Sequence, residues 1–200
     1  MQAHPPHKAV IRPAHDAPKV MVAVVAAPDA PLVAAAGALQ RWRALTPLAL
    51  WSTVSVRDAS RDEILRGVAA LLARHDVHAH QLILLTEGKA GRTALELVLQ
   101  GALDCAAILA IAVPCTALPF PILPTAAAAR LVVDCDDAPA DLISALRDAD
   151  IDARIVRLSP AASRDARAVA SAAETFVMEL VANASRQIHH QVRHHDRHGV

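Results

Sequence analysis

One segment leaves this chain few folds to choose from. Residues 82–101 read LILLTEGKAGRTALELVLQG. An unbroken apolar run passes through a turn with Gly88 and Gly91 straight into an Ala/Leu-rich helical pattern, with no linker between them. A strand apolar on both faces must be covered on both. A strand that feeds directly into a helix therefore asks for a sheet sandwiched between helical layers.

The rest of the chain repeats that alternation. Residues 19–27 (KVMVAVVAA) form a continuous apolar run, and 32–45 have a helical pattern. Residues 48–56 are rich in β-formers. Ser60-Arg61-Asp62-Glu63 fits the Ser-x-x-Glu box that starts a helix, predicted to run to about His75 with Ile64, Leu65, Val68, Leu71 and Leu72 on one face. Further strands are predicted at 81–85, 106–113, 129–133 and 153–158, and helices at 140–148 and 166–184. The expected fold class is α/β, a three-layer sandwich with a mostly parallel sheet of about six strands. Ligand sites in such sheets lie beyond the C-terminal strand ends. Residues 1–18 carry four prolines and three histidines and read as an arm; 19–184 form the domain; 185–200 read as a His-rich tail.

Composition narrows the function. Lys+Arg and Asp+Glu are both 20, and aromatics are 2% with no tyrosine. Neither the basic excess nor the stacking rings of a nucleic-acid binder are present. The apolar stretch after Val20 is broken by Pro28, Asp29 and Pro31, which argues against a membrane span. Three widely spaced cysteines do not read as a secreted disulfide framework, and the N-terminus has no signal-peptide order, so a cytoplasmic location is expected. The partner is expected to be a small molecule or a protein, and a homo-oligomer is compatible with the composition.

The order and spacing from residue 19 to residue 184 resemble the α/β-hydrolase superfamily, especially its small carboxylesterases, phospholipase/thioesterase-type enzymes and dienelactone hydrolases. In that superfamily the strand–turn–helix is a nucleophile elbow, G-x-S-x-G. The resemblance implies a serine at the apex, an oxyanion hole, an aspartate after a late strand and a histidine before the last helix. Here the elbow reads Glu87-Gly88-Lys89-Ala90-Gly91, which puts the apex on Lys89. A lysine replaces serine only with a strongly depressed pKa, as in Schiff-base chemistry; otherwise it is a solvated turn residue. The oxyanion donors would come from Ala90 and from the Ala27-Pro28 loop, where Pro28 has no N–H to give. The late acidic loop, Asp134-Cys135-Asp136-Asp137-Ala138-Pro139, has Ala138 before the proline and leaves Asp136 and Asp137 as acid candidates. No histidine occurs between His80 and His189.

The expected protein is thus a catalytically degenerate α/β-hydrolase-like chain with a binding, assembly or regulatory role. The competing reading is a divergent ester or thioester hydrolase recruiting Cys115, Cys135 or an unplaced serine as nucleophile, with Asp136 or Asp137 and a histidine from the tail. A third is a metal-binding protein. His190, His194 and His198 recur every four residues and would share a helix face able to hold Zn or Ni; otherwise no cofactor is expected. Trp42 and Trp51 read as packing anchors, and Glu96 as a solvent-facing residue or the i+4 partner of Arg92.

Overall fold

The computed structural model describes residues 19–27, 36–114, 116–134 and 140–197, and for 36, 140 and 191–197 the backbone alone. Six strands form one sheet: β1 Met21–Ala26, β2 Leu50–Ser55, β3 Leu82–Glu87, β4 Ala107–Ile111, β5 Ala128–Asp134 and β6 Ala153–Leu158. The helices are α1 Ala36–Leu45, α2 Arg61–His75, α3 Gly88–Leu99, α4 Ala140–Asp148, the short α5 Pro160–Ser163 and α6 Ala166–Arg197. The strand order is β2-β1-β3-β4-β5-β6, and every pairing is parallel. The chain moves to one side from β1 to β2, then crosses back to build the other side, so the order reverses at β1. Sheets of this type open a crevice at such a reversal, outside the C-terminal strand ends.

Period-two alternation divides the core into two layers. Met21, Ala23 and Val25 of β1, Leu82 and Leu84 of β3, and Leu131 and Val133 of β5 pack under α2, α3 and α4. Val22 and Val24, Ile83 and Leu85, and Leu109 and Ile111 pack under α1 and α6. That double burial is why these strands read as unbroken apolar runs.

Local signals act as expected with two differences. Ser60 caps α2 by accepting from the Glu63 N–H at 3.4 Å, but the Glu63 carboxylate accepts from the Arg57 N–H at 2.8 Å instead of closing the box on Ser60. The N–H of Ser60 is taken by Asp58. The second difference is α6, which does not stop near residue 184. At 32 residues it is about 48 Å long at 1.5 Å per residue. Phe176, Val177, Leu180, Val181, Ala184 and Ile188 are all buried on the α1/α6 side of the sheet. Ile188 extends the 3.6-residue pattern into the histidine-rich segment, whose polar composition hides it.

The most deeply buried charge among the described residues lies inside this frame. Arg130, on β5, is 1% exposed and donates to Glu179 of α6 at 2.8 Å and to Asp152 before β6 at 3.1 Å. Hydrogen bonding and charge from Glu179 and Asp152 outweigh its desolvation and raise its pKa. The network ties α6 to the sheet, where an apolar residue would otherwise be expected. No described helix is long and apolar enough to cross a membrane.

Candidate functional site

β3 stays extended through Glu87 (φ −140°, ψ 150°). The reversal into α3 is made by Gly88, at φ +59°. The turn therefore falls one residue before Lys89. Left-handed backbone is nearly free for glycine and strained for other residues, so the chain reverses at the first glycine of the elbow and Lys89 becomes an ordinary, exposed helical residue. A Cβ built at Gly88 meets nothing within 4 Å, so the apex is both bare and open. Gly91 is the opposite case. A Cβ there would approach Val113 Cγ1 at 2.9 Å and Thr86 Oγ1 at 3.1 Å, so this glycine lets α3 lie close on β3 and β4. Ala90 is buried in the core under α3. The side chain of Glu87 does not cap the helix.

Strain gathers around the same rim. Ala59, after β2, has φ +57°, and Ala112, after β4, has φ +48°; both are alanines in a region that favours glycine. Arg92 of α3 braces the segment after β4. Its guanidinium donates to the carbonyls of Pro114 at 2.9 Å, Thr116 at 2.8 Å and Ala117 at 3.1 Å, while its Nε pairs with Glu96 at 2.8 Å. The Arg92–Glu96 pair follows from the i,i+4 spacing; the carbonyl clamp had no sequence signal. Glu87 is 4% exposed at the end of β3, an acid that a motif search counts only as a flank.

Ala27 is half-buried just past β1; Pro28 lies outside the described residues. So do Cys115, Cys135, Asp136 and Asp137. The acid that is described is Asp134, the last residue of β5, and it is partly buried. Ser163, at the end of α5, donates its hydroxyl to Asp134 Oδ2 at 2.6 Å. Ser159 caps that short helix through the Ala162 N–H. The loop after β6, where the resemblance asks for a histidine, therefore presents a serine hydroxyl to the aspartate.

The histidine run belongs to α6. His190 is exposed, and the backbone places His194 one helical turn beyond it; His198 lies outside the described residues. Among the described residues no three metal-capable side chains cluster.

No family model matches the chain, and no curated protein is similar to it in sequence. Solved structures are. Esterase PE8 superposes with a TM-score of 0.62 at 17% identity over 82% of this chain and 94% of its own. The chain has the α/β-hydrolase fold. Esterase Est22 with p-nitrophenol gives a TM-score of 0.58 at 11% identity, over 87% of this chain and 74% of its own. XC6422 from Xanthomonas campestris, described as an α/β serine hydrolase without a lid, gives 0.56 at 14% identity over 82% of each chain. The chain spans as little as 56% of another neighbour's length. In hydrolases of this fold a strand–turn–helix of this layout can present the nucleophile.

Proposed function

We propose that this chain is a non-catalytic α/β-hydrolase-fold protein that keeps the strand-end rim as a binding surface. One observation carries the reading: the left-handed residue of the elbow is Gly88, which has no side chain with which to attack a carbonyl. Acyl transfer by this fold needs an activated nucleophile and a neighbouring base. The loop after β6 supplies Ser163 where imidazole would be needed, and residues 81–188 contain no histidine. A carboxylate alone, with an ordinary pKa near 4, is a poor match for deprotonating a serine at neutral pH.

The test is turnover of p-nitrophenyl acetate and p-nitrophenyl butyrate, and of an acyl thioester, by the purified chain. The expected rate equals that of heat-denatured protein, and Gly88→Ser does not raise it. A rate above that background, lost in a single Ser or Cys variant, overturns the proposal. The divergent-hydrolase reading has one observation in its favour, the Ser163–Asp134 hydrogen bond. It predicts turnover abolished by Ser163→Ala.

A further inference from the structure

The histidine-rich segment takes no part in the strand-end rim, and the backbone changes its nature. Its sequence reads as a tail, but α6 runs unbroken from Ala166 to Arg197. His190 and His194 therefore stand four residues apart on one helix. Four helical residues turn about 400° and rise about 6 Å. The two positions thus lie one above the other on one face, with Cβ atoms about 5–6 Å apart. Ile188 sets the phase of that face. It is 3% exposed and packs on the α1/α6 side of the sheet, whereas His190, about 200° further round the helix, is exposed. His189 differs. Its Nδ1 lies 2.6 Å from the Ser185 carbonyl oxygen, and the residue one turn beyond it is Arg193, so no imidazole faces it along the helix.

We propose that His190 and His194 form a two-histidine site for an imidazole-preferring divalent transition metal of the Ni, Cu or Zn class. The site stands apart from the rim and from the question of catalysis there. Imidazole nitrogens bind such ions at about 2.1 Å, so two neighbouring ligands must bring their nitrogens to about 3 Å of each other. Histidines at i and i+4 of a helix meet that need, and the same spacing lets two histidines of one helix hold a single zinc ion in other proteins. Two imidazoles fill two coordination positions and water fills the others. Arg186 precedes His190 by one turn, and Arg193 directly precedes His194, so local charge does not draw a cation here. Coordination by nitrogen selects the ion, which favours Ni, Cu and Zn over Mg, an ion that takes oxygen ligands.

The probe is Ni²⁺, titrated calorimetrically into the full chain in a non-chelating buffer, with Mg²⁺ as control. The tightest phase should saturate at one Ni²⁺ per chain, and Mg²⁺ should give no saturable heat. His190→Ala and His194→Ala should each weaken Ni²⁺ binding at least tenfold. His189→Ala and His198→Ala should each change it less than threefold. Val192→Pro keeps both imidazoles but breaks the helical turn between them, and it should also weaken binding at least tenfold. Lack of saturable Ni²⁺ binding, equal binding of Mg²⁺, or an affinity indifferent to His190→Ala overturns the proposal. So does a loss from His189→Ala or His198→Ala as large as that from His190→Ala, or full affinity in Val192→Pro. His190 is exposed and lies past Ile188, the last buried residue described on α6, so His190→Ala leaves the core untouched. If Val192→Pro does not fold, the His190→Ala and His198→Ala arms decide. Hydrolytic turnover would overturn the non-catalytic reading of the rim and leave these binding results standing, so the two failures are separable.

Discussion

Ser163 holds Asp134 through a 2.6 Å hydrogen bond between the loop after β6 and the end of β5. In a working hydrolase of this fold the corresponding loops hold an acid against an imidazole. Here the acid is held by a hydroxyl, which ties the two loops together. Ser163→Ala should cost about 1.5–3 kcal/mol, the range for a hydrogen bond to a charged group. A double-mutant cycle with Asp134→Ala in urea should show coupling, the pair costing less than the sum of the two single changes. Additive losses would mean that the bond contributes nothing.

The two elbow glycines should fail for different reasons. Gly88→Ala meets no neighbour within 4 Å and should cost only the left-handed backbone penalty, about 1–2 kcal/mol. Gly91→Ala drives a methyl against Val113 and the Thr86 backbone and should cost about 1–3 kcal/mol through overpacking. Adding Val113→Ala removes the side chain nearest the new methyl, so it should partly rescue Gly91→Ala and do nothing for Gly88→Ala. Denaturant midpoints of the four variants check this.

Arg130 should matter more as a tie than as a charge. Its partners are unequally wet, with Glu179 at 21% and Asp152 at 63% side-chain exposure. Arg130→Met should cost about 3 kcal/mol, the low end for breaking a buried pair, because both carboxylates can regain water. Glu179→Gln should cost more than Asp152→Asn, since the more sheltered partner does more to offset the desolvation of the guanidinium. Equal losses from the two changes would contradict this order.

Cys105 gives a pH prediction. Burial first, then the negative charge of Asp104, pushes its thiol up from 9.0 to about 12. The folded state thus resists ionisation that the unfolded chain allows. The stability this provides is complete below about pH 9 and is lost as pH rises towards 12. Stability of the wild type should fall more steeply over pH 9–11 than that of Cys105→Ala. Peptide mapping after iodoacetamide at pH 8 should find Cys105 unmodified in the folded chain and modified in urea.

The fold was legible because doubly buried strands announce themselves. The runs at 19–27 and 82–85 carry apolar side chains towards both layers, and α2 and α4 have clear amphipathic spacing. The end of α6 was hidden because Ile188 alone carries the buried face into a polar, histidine-rich segment. The elbow was legible as a strand–turn–helix, but its register was not. Two glycines bracket Lys89 and Ala90 in the sequence, and only the backbone distinguishes the one that turns at φ +59° from the one that lets α3 approach the sheet. Arg130, Arg92 and the Asp134–Ser163 contact depend on partners 22 or more residues away, and no local pattern encodes such pairings.

The central claim is that the elbow of this α/β-hydrolase fold carries no nucleophile. The most direct measurement is intact mass after incubation with a fluorophosphonate, which phosphonylates activated serines in hydrolases of this fold. The wild-type chain and Gly88→Ser should both keep their unmodified mass, the second because residues 81–188 offer a serine at residue 88 no histidine base. Stoichiometric labelling of the wild type at one serine, mapped by digestion and abolished when that serine is changed to alanine, would contradict the account.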